Sequence, residues 1–415
     1  MTRLANLALR GMTLVSKFLL IFMLAKLLDP EEVGLYGLVA ATVGYALYLL
    51  GFDFYTYTTR ELLKREKTEW GGLLKSQCAF SMVTYLVFMP LLLILFAFDV
   101  LPSYLLGWFF ALLVVEHISQ ELNRLLIAIS RPLLASCVLF LRTGLWALLV
   151  VGVMFWQPAS RSLENVLMSW TLGAAIAVVL GAGSLLRMGL GGWRRQIDWR
   201  WVWSGIKIAI PFLLATLAVR GIYTLDRYWF ESFAGMEVLA AYVLFIGMSN
   251  ALMSFLDAGV FAFMYPALIS HWQQCSANDF KRQLKQLLLH TAVFCLLFIT
   301  VAALVLPLLL DWIGRPVYQE HSYLFGWLMA ATVLMALSMI PHYALYAQGK
   351  DKHIIFSHLG ALLVFILSVL VLAPFNTLLA VPAAICCSFF VMLVWKVLAY
   401  YLLTPVEYQM LRSAA

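Results

Sequence analysis

Long apolar runs alternate with short polar breaks along the whole chain, and each run holds about 20 residues or more, the length an α-helix needs to cross roughly 30 Å of hydrocarbon. Read between charged, proline and glycine punctuation, the runs predict spans at Leu9 to Leu28, Val33 to Phe54, Gln77 to Phe98, Tyr104 to Leu122, Leu134 to Trp156 and Val166 to Leu186. After a basic stretch come Ile206 to Phe230, Val238 to Ala262, Leu287 to Leu310, Tyr323 to Ala347, Ile354 to Leu372 and Leu378 to Leu402. Barrel strands need only about 10 alternating residues, so the spans are helices. The predicted fold class is an all-α membrane protein with about 12 transmembrane helices in two six-helix bundles. The bundles cover residues 1–190 and 205–415, joined by a cytoplasmic linker over 191–204 inside the Gly, Arg and Trp-rich segment from Arg187 to Lys207.

Composition agrees and adds an orientation. Hydrophobic residues make up 64% and charged residues 12%, with a mean hydropathy of +0.92, far from the half-apolar, quarter-charged balance of soluble domains. The net charge of +7 sits in short loops rather than on one soluble face, which argues for membrane lipids and against nucleic acid as the surroundings it meets. Loops after even-numbered spans carry Arg60, Lys64, Arg65, Lys67 and Lys75, then Arg124 and Arg131, then Arg187, Arg194, Arg195 and Arg200, then Lys281, Arg282 and Lys285, then Lys350 and Lys352. The opposite loops are mainly acidic, with Arg161 and Arg315 as the basic exceptions. By the positive-inside rule both termini are cytoplasmic, in a multi-pass protein of the bacterial cytoplasmic (inner) membrane. Lys17 and the lack of a small-residue cleavage site make the first apolar run a retained span rather than a signal peptide.

Enzyme chemistry finds no foothold. The sequence has no P-loop, no HExxH, no DxD-like pair in a loop and no Cys/His cluster at metal spacing, so no catalytic residue, metal or cofactor is assigned. The six cysteines lie mostly in apolar runs and read as packing residues. What remains are ionisable residues within the spans, which cost several kcal/mol at the bilayer centre and so face a bundle interior or an aqueous cavity. In the seventh span Thr216, Arg220, Tyr223 and Arg227 form one polar stripe, with Asp226 beside it. In the first, Arg10, Thr13 and Lys17 do the same, and Arg142 lies about two turns into the fifth. Acidic counterparts are Asp257, on a stripe with Asn250 and Ser254, and Glu116, on a stripe with Gln120 and Asn123. Two readings stand for each. Arg10 and Arg227 are within snorkelling reach of an interface; Glu116 and Asp257 suit structural pairing as well as ion coupling; Asp226 has both Arg220 and Arg227 near it; and His342 beside Pro341 fits a hydrogen-bonded histidine as well as a helix break.

Sliding the chain by 206 residues places Glu31 on Glu237, Tyr36 on Tyr242, Leu38 on Leu244 and Leu50 on Leu256. Repeats with an even number of spans share orientation, which relates the bundles by a pseudo-two-fold axis along the membrane normal. This arrangement, with the DPEEVGLY turn from Asp29 to Tyr36, the GFDFYTYTTREL run from Gly51 to Leu62, and Leu225-Asp226-Arg227 ahead of Glu237 to Tyr242, resembles the polysaccharide-unit flippases. These are the O-antigen and capsule-type exporters of the multidrug, oligosaccharidyl-lipid and polysaccharide exporter superfamily. Ala240-Ala241-Tyr242 replaces Gly34-Leu35-Tyr36 in the second half, and the two extra spans usual in peptidoglycan-precursor flippases are not found.

The resemblance implies a flippase that moves polyprenyl-diphosphate-linked oligosaccharide from the cytoplasmic to the periplasmic leaflet by alternating access, driven by a proton or sodium gradient, with glycan polymerase machinery as a further partner. Lys17, Arg142, Arg220 and Arg227 would then be cationic contacts of the headgroup and Tyr223 a sugar contact, while Asp257, Glu116 and Asp226 would be the ion-coupling candidates. Two rivals remain. A drug or cation antiporter of the same superfamily would prefer an acidic cavity, and a membrane-embedded glycan polymerase or ligase would need a sizeable outward loop.

Overall fold

The computed structural model describes residues 2–410, with side chains from Leu4 onward, so the chain ends on which the orientation bears lie outside the described residues. Among the described residues there is no strand, and twelve helices are long and apolar enough to cross a membrane. They are α1 (Thr2–Leu27), α2 (Pro30–Gly51), α3 (Lys67–Ala97), α4 (Ser103–Ala128), α5 (Pro132–Trp156), α6 (Leu163–Leu186), α7 (Trp199–Ala234), α8 (Met236–Gln273), α9 (Ala277–Ile313), α10 (Tyr323–Ala347), α11 (Asp351–Leu372) and α12 (Thr377–Leu403). Each coincides with one of the expected spans over most of its length, the first three spans having been drawn one to three residues past the helix end. Even the 22 residues of α2 rise about 33 Å, enough to cross hydrocarbon.

Differences from the expected ends have local causes. Helix α7 starts at Trp199 instead of Ile206 because Asp198 Oδ1 accepts the Trp201 amide at 2.9 Å and caps the first turn. Helix α8 continues past Ala262 to Gln273 through a π-helical turn, Asp257–Phe261, and carries Pro266 within it. A second π-helical turn, Leu141–Leu145, interrupts α5. Such turns widen a helix locally, re-aim its side chains and recur at functional sites. One holds Arg142 and the other Asp257. In the GFDFYTYTTREL run, Phe52 and Asp53 take left-handed backbone angles that break the chain between α2 and the short helix Tyr55–Leu63.

The chain forms two compact units. Unit 1 runs to Leu28 and from Leu38 to Leu217; unit 2 holds Asp29–Gly37 and everything described from Ala218 onward. In unit 1 the basic stretch after α6 is pinned to the start of α3. Gly71 N donates to Gly191 O at 2.8 Å, Arg195 pairs with Glu69 at 2.7 Å, and Lys75 Nζ donates to the Arg195 carbonyl at 3.0 Å. Underneath, Phe54, Trp70 and Trp201 form an apolar cluster. Two basic segments expected on one membrane side therefore touch. The basic exceptions also have explanations in bonding: Arg315 lies 3.6 Å from Asp29, and Arg161 donates to the Met154 carbonyl at 3.1 Å.

In unit 2 the first turns of α2 press on the first turns of α8. A Cβ at Gly34 would lie 2.4 Å from the Met236 carbonyl oxygen, and one at Gly37 would lie 2.2 Å from Val243 Cγ2. The glycines let two backbones meet where any side chain would part them. Gly34→Ala is expected to cost about 1–3 kcal/mol and to lower the yield of monodisperse protein in size-exclusion chromatography. Gly44→Ala, with nothing within 4 Å of the added carbon, is the control that leaves the yield unchanged. Equal yields for both would refute this account of the DPEEVGLY turn.

Candidate functional site

Unit 1 buries a polar centre between α4, α5 and α6. Arg142 stands on the π-helical turn of α5, and its Nε donates to Glu116 Oε2 at 2.7 Å. Trp170 of α6 donates its indole N–H to Glu116 Oε1 at 2.6 Å. The Trp170 ring stacks on Trp146 at 5.7 Å, and Trp146 in turn donates to the Arg142 carbonyl at 2.8 Å. Gly173 makes this stack possible, since a Cβ there would lie 2.7 Å from Trp146. Glu116 is 2% exposed with both oxygens engaged. One expected headgroup contact and one expected ion-coupling residue are thus joined in a single charge-assisted pair.

Further along α4 lies a second network. His117 Nδ1 shares a 2.7 Å hydrogen bond with Tyr85 Oη. Glu121 accepts from Gln77 at 2.9 Å and from Arg124 at 2.7 Å, and the Arg124 guanidinium sits 3.8 Å over the Tyr55 ring. His117, Glu121, Tyr85 and Tyr55 edge a cavity of about 260 Å³ whose walls are otherwise mostly apolar. Glu121 is not among the residues expected from the sequence, where its neighbour Gln120 stands on the Glu116 stripe. The spacing of His117, Glu121 and Arg124 on one helical face was the available signal.

Unit 2 places Asp226 at 0% exposure. Tyr242 Oη donates to its Oδ2 at 2.8 Å, the Arg227 amide donates to Oδ1 at 2.7 Å, and the Arg227 guanidinium approaches Oδ1 to 4.0 Å. Arg227 also donates to the Tyr223 carbonyl, and the Tyr223 ring lies 5.6 Å from Phe389. Tyr242 stacks on Phe230 at 4.5 Å. Arg227, Asp226 and Tyr242 therefore form one buried unit. Arg220 on α7 and Lys17 on α1 are exposed at span depth, and so is Asp257 on its π-helical turn.

A group that sequence reasoning missed lies on α12. Lys396 is 0% exposed and its Nζ has no hydrogen-bond partner. It follows Ile385, Phe389 and Met392 on the buried face of that helix. A lysine continuing an apolar stripe at helical spacing was the readable signal. His342 of α10 has His358 of α11 stacked beside it at 6.0 Å, and its charged and titratable neighbours are Lys396 and His358.

No protein-family model matches the chain, and no curated protein matches it by sequence. Solved structures do. Over 96% of this chain and 97% of the other, it is similar, with a TM-score of 0.76 and 11% identity, to the inward-facing conformation of a multidrug resistance MATE family transporter of the MOP superfamily. The fold is that of the MATE transporters. An outward-facing MATE conformation matches with a TM-score of 0.55 and 13% identity over 95% of this chain and 93% of that one. A MOP superfamily transporter from Pyrococcus furiosus, described by a binding pocket of reverse polarity that suggests a different function, matches with a TM-score of 0.61 and 13% identity over 97% of this chain and 93% of that one. At such identities the likeness carries the MATE fold and leaves the substrate to the side chains.

Proposed function

We propose that this protein is a flippase that carries polyprenyl-diphosphate-linked oligosaccharide from the cytoplasmic to the periplasmic leaflet by ion-coupled alternating access. The observation that carries the reading is the exposure at span depth of a cation in each unit. Glu116 and Asp226 are enclosed in their own bonding networks, whereas Lys17 in unit 1 and Arg220 in unit 2 are exposed. A diphosphate headgroup cannot cross hydrocarbon without cationic partners and water, and its polyprenyl tail is at home in lipid. Lys17 and Arg220 are each assigned as headgroup contacts. Arg142 and Arg227, already paired, hold the helices that carry them.

The test is a leaflet-accessibility assay in proteoliposomes, with lipid-linked oligosaccharide supplied to the outer face and its appearance on the inner face followed with and without protein. Transfer only with the protein present supports the reading; equal transfer in empty vesicles ends it. The multidrug relatives and the exposed carboxylate of Asp257 favour a second reading, a drug and cation antiporter. Efflux of ethidium by the same vesicles, without transfer of lipid-linked oligosaccharide, would decide for it.

Orientation is open to a separate test. Reporter fusions after Lys67 and after Arg195 are expected to give cytoplasmic signals, because the segments carrying them are basic and pinned together in unit 1. A fusion after Glu320 is expected to give a periplasmic one. A periplasmic signal after Lys67 would invert the map.

A further inference from the structure

We propose that Lys396, His342 and His358 form a proton-carrying site within unit 2, and that the coupling ion is therefore a proton rather than sodium. The proposal rests on the transport reading and deepens it.

Three observations converge on the site. First, α12 packs against α10 and α11, and the side chain it turns into them at this level is a lysine enclosed on all sides. Its ammonium nitrogen and His342 Nδ1 are both buried without a hydrogen-bond partner. Apolar replacement of such a group normally improves packing, so its presence calls for a role other than stability. Second, the donors are nitrogen bases. Sodium, like other hard cations, is held by oxygen ligands, and a lysine supplies none. Third, a proton is the one ion that needs no cavity. The groove along the neighbouring face of α12, lined by His353, Trp395 and Leu398, does not include Lys396.

The titratable groups that α10 brings to this end of α12 are His342, Tyr343 and Tyr346. Helix α11 brings Asp351, Lys352, His353 and His358, and α12 itself adds Tyr400 and Tyr401. Lys350 donates to the Leu403 carbonyl at the end of α12, and Gln348 donates to Thr404 Oγ1 at 2.9 Å. These bonds tie the α10–α11 connection to α12. A proton arriving on Lys396 Nζ or on an imidazole nitrogen places a positive charge among three apolar helices. An arrangement that admits water or a counter-charge to the cluster is then favoured over the enclosed one, and proton release reverses the preference. Pro341, next to His342, removes a helical hydrogen bond where α10 would flex.

The experiment separates proton binding from transport. Hydrogen–deuterium exchange of peptides from α10, α11 and α12 is followed in purified protein at pH 6 and pH 8, with intrinsic rates corrected, for wild type, Lys396→Met and His342→Gln. Wild type should show a several-fold pH-dependent difference in protection in these helices, and both variants should lose it. The second variant carries the test if the first folds poorly. In proteoliposomes with lipid-linked oligosaccharide, a pH gradient should drive accumulation by wild type, and the variants should fall at least tenfold while still equilibrating substrate downhill. The same pH response in variants and wild type overturns the proposal, as does accumulation by wild type driven by sodium alone. Loss of the pH response in the variants, with no movement of lipid-linked oligosaccharide by wild type, upholds the proton site and sinks the flippase reading.

Discussion

Glu116→Ala is expected to remove most of the folded protein from the membrane. The substitution strips Arg142 of the carboxylate 2.7 Å from its Nε and leaves the indole N–H of Trp170, whose ring stacks on Trp146, without its acceptor. Removing one partner of a buried ion pair costs about 3–5 kcal/mol. That is a large share of the roughly 5–15 kcal/mol that holds a typical domain together. The double substitution Glu116→Leu with Arg142→Met should recover much of the loss, because an apolar pair of similar volume strands no charge. Recovery should stop short of wild type, since an unsatisfied indole N–H still costs about 1–3 kcal/mol. Membrane abundance and thermal stability in detergent measure both variants. A Glu116→Ala protein with wild-type abundance and stability would show that the pair is dispensable to the fold. A well-folded Glu116→Gln protein that loses gradient-driven accumulation would instead return Glu116 to the ion-coupling role.

This pair illustrates which parts of the molecule were legible in the sequence. The spans were, because an apolar run of about 20 residues in lipid has no alternative to the helix in which every backbone group is satisfied internally. Their ends were less so. Asp198 extends α7 backwards by capping it, and such a cap works through a single side-chain contact that hydropathy does not register. The π-helical turns at Leu141–Leu145 and Asp257–Phe261 contain ordinary residues, and no proline within them marks them off from the rest of their spans. Glu116 and Arg142 were both visible as intramembrane charges, but their pairing depends on which faces of α4 and α5 meet. Asp226 and Arg227 are chain neighbours, whose side chains on a helix point in different directions, and the carboxylate finds its closest partners in Tyr242 and a backbone amide. Lys396 was overlooked for a related reason. Two turns from the end of an expected span, a lysine reads as one that snorkels to the interface, and only the packing of α10 and α11 around α12 closes that route.

In the proposed flippase, Arg220 carries the largest expected effect on transport. It lies exposed at span depth on α7, where a diphosphate oxygen pair would meet two parallel guanidinium N–H groups. Hydrogen bonds between charged groups contribute about 1.5–3 kcal/mol each, and 1.4 kcal/mol is a factor of ten in affinity. Arg220→Ala should therefore lower transfer of lipid-linked oligosaccharide by about tenfold or more at unchanged protein level. Arg220→Lys keeps the charge and loses the planar fork, so it should retain part of the rate. The fold should tolerate both changes, because the buried acid nearby, Asp226, is already held by Tyr242 and Arg227. The contrast is Asp226→Ala, which leaves the Tyr242 hydroxyl and the Arg227 guanidinium without their carboxylate and should lower abundance instead of turnover. Transfer rate per folded molecule, measured for the three variants in one vesicle preparation, distinguishes the two roles. Wild-type transfer by stably inserted Arg220→Ala would remove Arg220 from the headgroup site and leave Lys17 as the exposed cation to examine, through Lys17→Met in the same assay.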